Sequence, residues 1–224
     1  MTNFPFQIVG FDLDGTLLDT SGDLANAVNH ALSVEGRPAV ASEQVRAMIG
    51  GGAGLMLERA LEATGGPVSD ARFAELHAAL LAFYEANIAV ETRLFPGGEA
   101  MLDALAARGV KIAVVTNKLE HFARAIFKQM GLTDRFFTII GGDTLGPGRA
   151  KPEPDLIELM IERAGGGSAA YVGDTSYDTR AAAAAGLPCV VVSFGFNDVP
   201  MARMNAAGTI DHFDELVPTL ERIG

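Results

Sequence analysis

Short apolar runs alternate with helical patterns along most of the chain. Five runs are apolar enough to predict buried strands, and a sixth is weaker. Between them, segments such as residues 98–108 and 119–130 carry apolar side chains at helical spacing. This alternation predicts an α/β fold in which helices cover both faces of a parallel sheet. The predicted strands are residues 7–12, 111–116, 137–141, 169–173 and 188–193, with the weaker one at 209–210.

The stretch between the first two predicted strands has no strand pattern. From about residue 21 to residue 90, apolar residues recur three or four positions apart, as in amphipathic helices. We therefore predict a small all-helical cap, residues 20–92, inserted after the first strand of a core domain of residues 1–19 and 93–224. The flanking residues 18–20 and 91–96 are the expected linkers. Helices that belong to the core itself are the alternative.

Composition and charge narrow the possible partners. The chain has 224 residues, of which 49% are hydrophobic and 20% charged, and its net charge is −11. This charge repels nucleic acids and acidic membrane surfaces, so we expect neither as a partner. The single cysteine, Cys189, excludes an internal disulfide and lies in an apolar run where a buried thiol is expected. With no leader or membrane-spanning run in the sequence, we expect a cytoplasmic protein.

Two acids stand directly at the end of the first predicted strand. Side chains two apart in a strand point to the same side, so Asp12 and Asp14 lean into one space. Carboxylates that close repel each other unless a cation or a proton lies between them. Gly15 and Thr16 then turn the chain and leave backbone N–H groups nearby. The pattern indicates a site for Mg²⁺ and a phosphate, although Asp-Gly also occurs in ordinary turns.

Other strand ends carry complementary groups. Thr116 and Asn117 follow the second predicted strand, Asp174 and Asp178 follow another, and Lys151 precedes a helix. Ligands of an open parallel sheet bind at the carboxyl ends of its strands, so these residues are expected to converge. Acids, a hydroxyl and amide donor, and a fixed cation are what phosphoryl transfer needs.

This ordered set resembles the haloacid-dehalogenase-like phosphatases over nearly the whole chain. Within that family, the sequence is most similar to the bacterial phosphoglycolate phosphatases. Thr20 and Thr175 stand where serine is frequent, and both keep the hydroxyl. The resemblance implies a Rossmann-like core and rests on residues 11–20, 115–118 (VTNK), 141–144, 151–154 (KPEP), 172–178 and 186–188.

The resemblance also implies roles for the acids. Asp12 would be the nucleophile that forms an aspartyl-phosphate, and Asp14 the general acid and then base. Mg²⁺ would be held by Asp12, the Asp14 carbonyl and Asp174. Asp178 would orient metal-bound water, or alternatively be a surface helix acid.

The remaining implied roles concern the phosphoryl group. Thr116 and the Asn117 amide would donate to phosphoryl oxygens, and Lys151 would pair with the phosphoryl group and Asp12. Thr116 could alternatively just end a strand, and Asn117 just cap a helix. Lys118 is predicted to be a solvated or cleft-rim charge, and Asp143 to shape its loop.

The second acid, Asp14, favours phosphate esters as substrates. The dehalogenases of this family cleave carbon–halogen bonds, and that reaction leaves no oxygen to protonate. The expected partner is a small phosphorylated metabolite, foremost 2-phosphoglycolate, acted on by a monomer or homodimer. The glycine run 50–54, including Gly51 and Gly52, is the candidate specificity loop because free amides at a helix start favour an anion. A flexible turn is the equal alternative, and Arg46 and Arg93 could add positive charge. A sugar phosphatase or phosphomutase, a nucleotide or pyrophosphate hydrolase, and a non-enzymatic binding module remain the other hypotheses.

Overall fold

The computed structural model describes residues 4–224, and a six-stranded parallel sheet lies at its centre. The strand order is β5-β4-β1-β6-β7-β8, and every neighbouring pair is parallel. The predicted α/β fold is confirmed, and each predicted strand appears within one residue of its expected bounds. The strands are β1 (Ile8–Phe11), β2 (Leu18–Asp19), β3 (Arg93–Leu94), β4 (Lys111–Val115), β5 (Thr138–Ile140), β6 (Ala169–Gly173), β7 (Cys189–Val192) and β8 (Gly208–Ile210).

Helices cover both faces of this sheet. The alternation of side chains along β1 places Val9 and Phe11 in one apolar cluster with helices α5, α6 and α9, and Ile8 in a second cluster with α7 and α8. Burial on both faces explains why the strands read as continuous apolar runs. The helices are α1 (Ser21–Val34), α2 (Ser42–Arg46), α3 (Ala53–Thr64), α4 (Asp70–Ala86), α5 (Gly98–Ala106), α6 (Glu120–Gln129), α7 (Asp155–Ala164), α8 (Ser176–Ala184) and α9 (Leu216–Ile223).

Residues 21–86 fold into the four helices α1–α4. The apolar faces of these helices pack against one another. Leu24, Val28 and Leu32 of α1 are buried, and so are Leu76 and Leu80 of α4. The same apolar cluster continues into one face of the sheet. The position of the domain boundaries at residues 19/20 and 92/93 stays a prediction.

The two expected linkers are paired with each other. β2 and β3 form a two-residue antiparallel ribbon in which Leu18 faces Leu94 and Asp19 faces Arg93. Two residues are too few to show a strand period, so the sequence predicted only connecting segments.

A buried carboxylate ties the second linker to the first helix of the block. Asp23 in α1 accepts hydrogen bonds from the Glu91 N–H (3.0 Å), the Thr92 N–H (3.0 Å) and the Thr92 hydroxyl (2.7 Å). The chain entering the helices and the chain leaving them are therefore held side by side.

Candidate active site

The carboxyl ends of the three central strands bring predicted site residues together. Asp12 directly follows β1, Thr116 follows β4 and Asp174 follows β6. Backbone hydrogen bonds extend the sheet at two of these ends, from the Asp12 N–H to the Val172 carbonyl (2.9 Å) and from the Thr116 N–H to the Ile140 carbonyl (3.0 Å). Because β1 lies between β4 and β6, the three residues meet at the middle of one sheet edge.

Three carboxylates crowd this point. Oxygens of Asp12, Asp174 and Asp178 lie within 4.8 Å of one another, and all three residues are buried. Burial raises the pKa of Asp12 to about 6, although the Lys151 ammonium opposes the shift. Burial, Asp178 and Asp12 raise the pKa of Asp174 well above its ordinary value. Carboxylates gathered this way favour a cation among them.

Asp178 has hydrogen-bond partners on both of its oxygens. Oδ2 accepts from the Asp174 N–H (3.2 Å), the Thr175 N–H (2.9 Å) and the Thr175 hydroxyl (2.7 Å), while Oδ1 accepts from Lys151 (2.6 Å). The carboxylate thus caps the start of α8 and fixes the loop that carries Asp174. It is buried and is no surface helix acid, which removes that alternative.

Oxygen atoms of Asp12, Asp14 and Asp174 are suited to a divalent cation that prefers hard ligands. Asp12 Oδ1 is buried and accepts no hydrogen bond, and the Asp14 carbonyl meets no donor among residues 4–224. Asp174 is fixed by the Thr16 hydroxyl (2.8 Å) and the Phe196 N–H (2.7 Å). Carboxylate and carbonyl oxygens are suitable Mg²⁺ ligands.

Lys151 is surrounded by three partners. Its Nζ lies 2.9 Å from Asp12 Oδ1, without the alignment of a hydrogen bond, and donates to Asp178 (2.6 Å) and to the Tyr171 hydroxyl (3.0 Å). The Tyr171 hydroxyl in turn donates to the Val115 carbonyl (2.5 Å). Burial alone would lower the pKa of Lys151, but Asp12 and Asp178 raise it well above its ordinary value. Lys151 is therefore a fixed, charged group.

Tyr171 is a site neighbour that the sequence did not reveal. It lies fully buried in β6, and an aromatic residue in an apolar strand has the pattern of an ordinary core residue. Only its hydroxyl, which needs a partner when buried, could have signalled a polar neighbour.

Thr116 and Asn117 both line the cavity beside these groups. The Thr116 hydroxyl oxygen accepts from the Lys118 N–H (3.2 Å), so its own proton stays free to donate. The Asn117 side chain donates instead to the carbonyls of Lys151 (3.0 Å) and Gly50 (3.3 Å). Of the two Asn117 amides, only the backbone N–H is free of a partner within residues 4–224.

Lys118 lines the cavity, as the prediction of a cleft charge implied, but the prediction that it is solvated was wrong. Its side chain is only 6% exposed, and Nζ donates to both oxygens of Asp14, at 2.9 and 3.0 Å. Thr20 also donates to Asp14 Oδ1 (2.7 Å). Burial alone would lower the pKa of Lys118, but Asp14 and Tyr84 raise it above its ordinary value. The predicted general acid is thus held by a buried cation.

A cavity of about 580 Å³ lies between this sheet edge and the four helices. The glycine run, including Gly51 and Gly52, lines it opposite the strand ends, and α3 begins just after Gly52. His77, Leu80, Leu81 and Tyr84 of α4 line the same side. The run therefore faces any bound ligand, and whether it binds one stays a prediction.

The two candidate arginines lie elsewhere. Arg46 pairs with Asp19 (3.2 Å) and stacks over Phe196, 4.7 Å from the ring centre. Arg93 is exposed in β3. Neither lines the cavity, so the idea that they charge the cleft is not supported.

Asp143 shapes its loop, as predicted. Its carboxylate accepts from the Glu120 N–H (2.8 Å) at the start of α6. A helix start offers such free N–H groups, so this contact is a cap.

Known proteins resemble this chain over nearly its whole length. The family described as "Haloacid dehalogenase-like hydrolase" matches residues 9–192. A phosphoglycolate phosphatase of Agrobacterium fabrum is 36% identical over 98% of this chain and 95% of its own length. One of Rhodospirillum rubrum is 38% identical over 94% of this chain and 89% of its own.

A solved structure gives the same picture. The crystal structure of a predicted phosphoglycolate phosphatase from Haemophilus somnus 129PT is 29% identical, with a TM-score of 0.89. The match covers 96% of this chain and 97% of that one. Within residues 4–224, none of the helices combines the length and apolar character that a membrane crossing requires.

Proposed function

The chain belongs to the haloacid dehalogenase-like hydrolase family and is a phosphatase, and from this premise we propose that it hydrolyses 2-phosphoglycolate to glycolate and phosphate. The observation that carries the proposal is the meeting of Asp12, Lys151 and Asp14 at one cavity. The names of its relatives support the choice of substrate.

In the first proposed step, Asp12 is the nucleophile. One carboxylate oxygen bonds to phosphorus while the bond from phosphorus to the ester oxygen breaks, and Asp14 gives that oxygen a proton. A pKa of about 6 leaves Asp12 mostly ionised at neutral pH. Lys151, 2.9 Å away, offsets negative charge as the phosphoryl group approaches.

In the second step, water restores Asp12. Asp14 takes a proton from the water whose oxygen bonds to phosphorus, the bond between phosphorus and Asp12 breaks, and phosphate leaves. Thr20 and Lys118 hold the Asp14 carboxyl group in one orientation, as the base that takes the water proton needs.

The phosphoryl oxygens need donors and a metal ion. We assign the Thr116 hydroxyl and the Asn117 backbone N–H as donors. Asp12, Asp174 and the Asp14 carbonyl would hold Mg²⁺, and Asp178 would keep the Asp174 loop in place. The bound ion would supply charge neutralisation at a phosphoryl oxygen.

The proposal also covers the partner, the oligomeric state and the location of the enzyme. Its partner is one small phosphorylated metabolite, and it acts as a monomer or homodimer. A cytoplasmic location agrees with a single cysteine that is buried and free.

The substrate is tested by comparing kcat/KM, with Mg²⁺, for 2-phosphoglycolate, sugar phosphates, nucleotides and pyrophosphate. We expect 2-phosphoglycolate to exceed the others by about tenfold or more. Better hydrolysis of several other compounds would show that the substrate is wrong. Slow release of phosphate from a long-lived phosphoenzyme would point to a phosphomutase instead.

The nucleophile is tested in the same assay. Asp12→Asn should lower turnover of every substrate by about 10⁴-fold or more. Asp143→Asn makes the same change in a cavity-lining acid that caps α6, and it should keep kcat/KM within about threefold. Similar losses in both variants would count against Asp12.

A further inference from the structure

The two lysines that line the cavity differ in how many partners they have. Lys151 has Asp12, Asp178 and Tyr171 around its ammonium. Lys118, among residues 4–224, makes well-aligned hydrogen bonds only to Asp14, and the Tyr84 hydroxyl lies beside its ammonium without that alignment. A lysine ammonium carries three N–H groups, so Lys118 keeps one N–H for a ligand.

A second unused donor lies beside Lys118. The Tyr84 ring centre is 4.7 Å from Lys118 Nζ, and the Tyr84 hydroxyl is buried with no hydrogen-bond partner in the described residues. Burial raises the pKa of Tyr84 to about 12, so the hydroxyl keeps its proton at neutral pH. A buried donor without a partner is costly, which favours a ligand atom at this position.

Among the described side chains on this part of the cavity wall, Lys118 is the charged donor, and the backbone N–H groups of the glycine run are the other groups that favour an anion. Asp14 and Asp143 are acids, and Leu80 and Leu81 are apolar. Burial lowers the pKa of His77, which leaves it neutral at neutral pH. Among the described side chains, an anionic group on the leaving side of the substrate therefore meets a full positive charge at Lys118.

We infer that Lys118 and Tyr84 bind a carboxylate on the leaving group and thereby select esters that carry an acid next to the ester oxygen. The inference rests on the proposed function. In 2-phosphoglycolate one methylene separates the ester oxygen from the carboxylate. Since Asp14 must reach that ester oxygen, the carboxylate comes within reach of the cation on Asp14, and Lys118 bridges the two.

The test measures carboxylate recognition without substrate turnover. 3-Phosphonopropionate keeps the shape of 2-phosphoglycolate without its ester bond, and its amide lacks the charge. Both are used as competitive inhibitors of 4-nitrophenyl phosphate hydrolysis by the full chain with Mg²⁺. We expect the wild type to bind the acid about 10- to 100-fold more tightly than the amide.

Two variants should lower the ratio of the inhibition constant of the amide to that of the acid. Lys118→Met should bring it close to one, and Tyr84→Phe, which keeps the ring, should lower it about 2- to 10-fold. Lys128→Met, the same change on an exposed face of α6, should leave it unchanged. A wild-type ratio near one, or a ratio that survives in both Lys118→Met and Tyr84→Phe, overturns the inference. If Lys118→Met does not fold, Lys118→Gln takes its place.

The outcome is separable from that of the proposed function. If another ester is hydrolysed best but the ratio still collapses in Lys118→Met, the substrate is wrong and the carboxylate site stands. If 2-phosphoglycolate is preferred but the ratio persists in the variants, the substrate stands and the site is wrong.

Discussion

The two ends of the cavity differ in the elements that form them. At the phosphate end, formed by Asp12, Thr116, Lys151, Asp174 and Asp178, the groups follow strands or contact one another, and Asp12 Oδ1 accepts no hydrogen bond. At the leaving-group end, formed by the glycine run 50–54, His77, Tyr84 and Lys118, a hydroxyl and an N–H have no partner within residues 4–224. The strand ends thus carry the reaction, while the helices and Lys118 face the leaving group.

Of the changes that compare the two ends, the largest effect is expected at Asp14, where the ends meet. Asp14→Asn should lower turnover of 2-phosphoglycolate by about 10²–10⁴-fold, because its alkoxide leaving group needs a proton. Turnover of 4-nitrophenyl phosphate, whose leaving group is stable without a proton, should fall less in the first step. Phosphoenzyme formation in rapid-quench kinetics with each ester is the measurement. Equal losses for the two esters would contradict the role of Asp14 as acid.

The phosphate end should be stabilised by metal. Mg²⁺ at about 100 times its Kd should add about 2.7 kcal/mol to the free energy of unfolding at pH 7.5, seen as a rise in Tm of about 5–10 °C. The rise should be smaller at pH 5, because the raised pKa values of Asp12 and Asp174 leave protons that the ion must displace. Asp174→Asn should remove most of the rise, and a rise that grows toward pH 5 would contradict this site.

The same pKa shift sets the behaviour of the metal-free protein. Folded Asp12, with a pKa of about 6, keeps a proton that the unfolded chain releases near its ordinary value of 3.8. Its contribution to stability is present below the ordinary pKa and is lost as the pH rises through about 6. Urea unfolding in a chelator at pH 5 and pH 7 measures this change, and wild type should lose more stability between them than Asp12→Asn.

The smallest effect is expected in the glycine run. Gly52 has φ 89° and ψ 169°, a conformation that almost only glycine adopts, so Gly52→Ala should cost about 1–3 kcal/mol of stability. Gly54→Ala lies in the first turn of α3 with ordinary φ and only His77 near its added methyl group, so it should be neutral or slightly stabilising. Urea unfolding measures the free energy of unfolding of both variants. Equal losses of stability would mean that the backbone conformation of Gly52 does not set the cost of the substitution.

The sheet could be predicted because burial on both faces leaves unbroken apolar runs. Residues 169–173 were predicted without error, and the acids after the strands mark their carboxyl ends. The ribbon of β2 and β3 could not be predicted, since its four residues carry no period and the two strands lie on either side of the whole helical segment α1–α4.

The roles at the leaving-group end were harder to predict for a similar reason. A lysine in the first turn after a strand has the pattern of a solvated residue. The partners that bury Lys118 are Asp14, 104 positions earlier, and Tyr84 on another element. Single-sequence patterns describe neighbours along the chain, and these contacts exist only after folding.

The paired linkers have a mechanical consequence. Two loose tethers would let the four helices twist and slide as well as tilt over the strand ends. Because Leu18 and Asp19 pair with Leu94 and Arg93, and Asp23 holds the second linker, we expect any movement of the four helices to be a rotation about this ribbon. Such a rotation would change the distance between Tyr84 and Lys118, so the ribbon would control the width of the cavity although it lies outside the cavity wall.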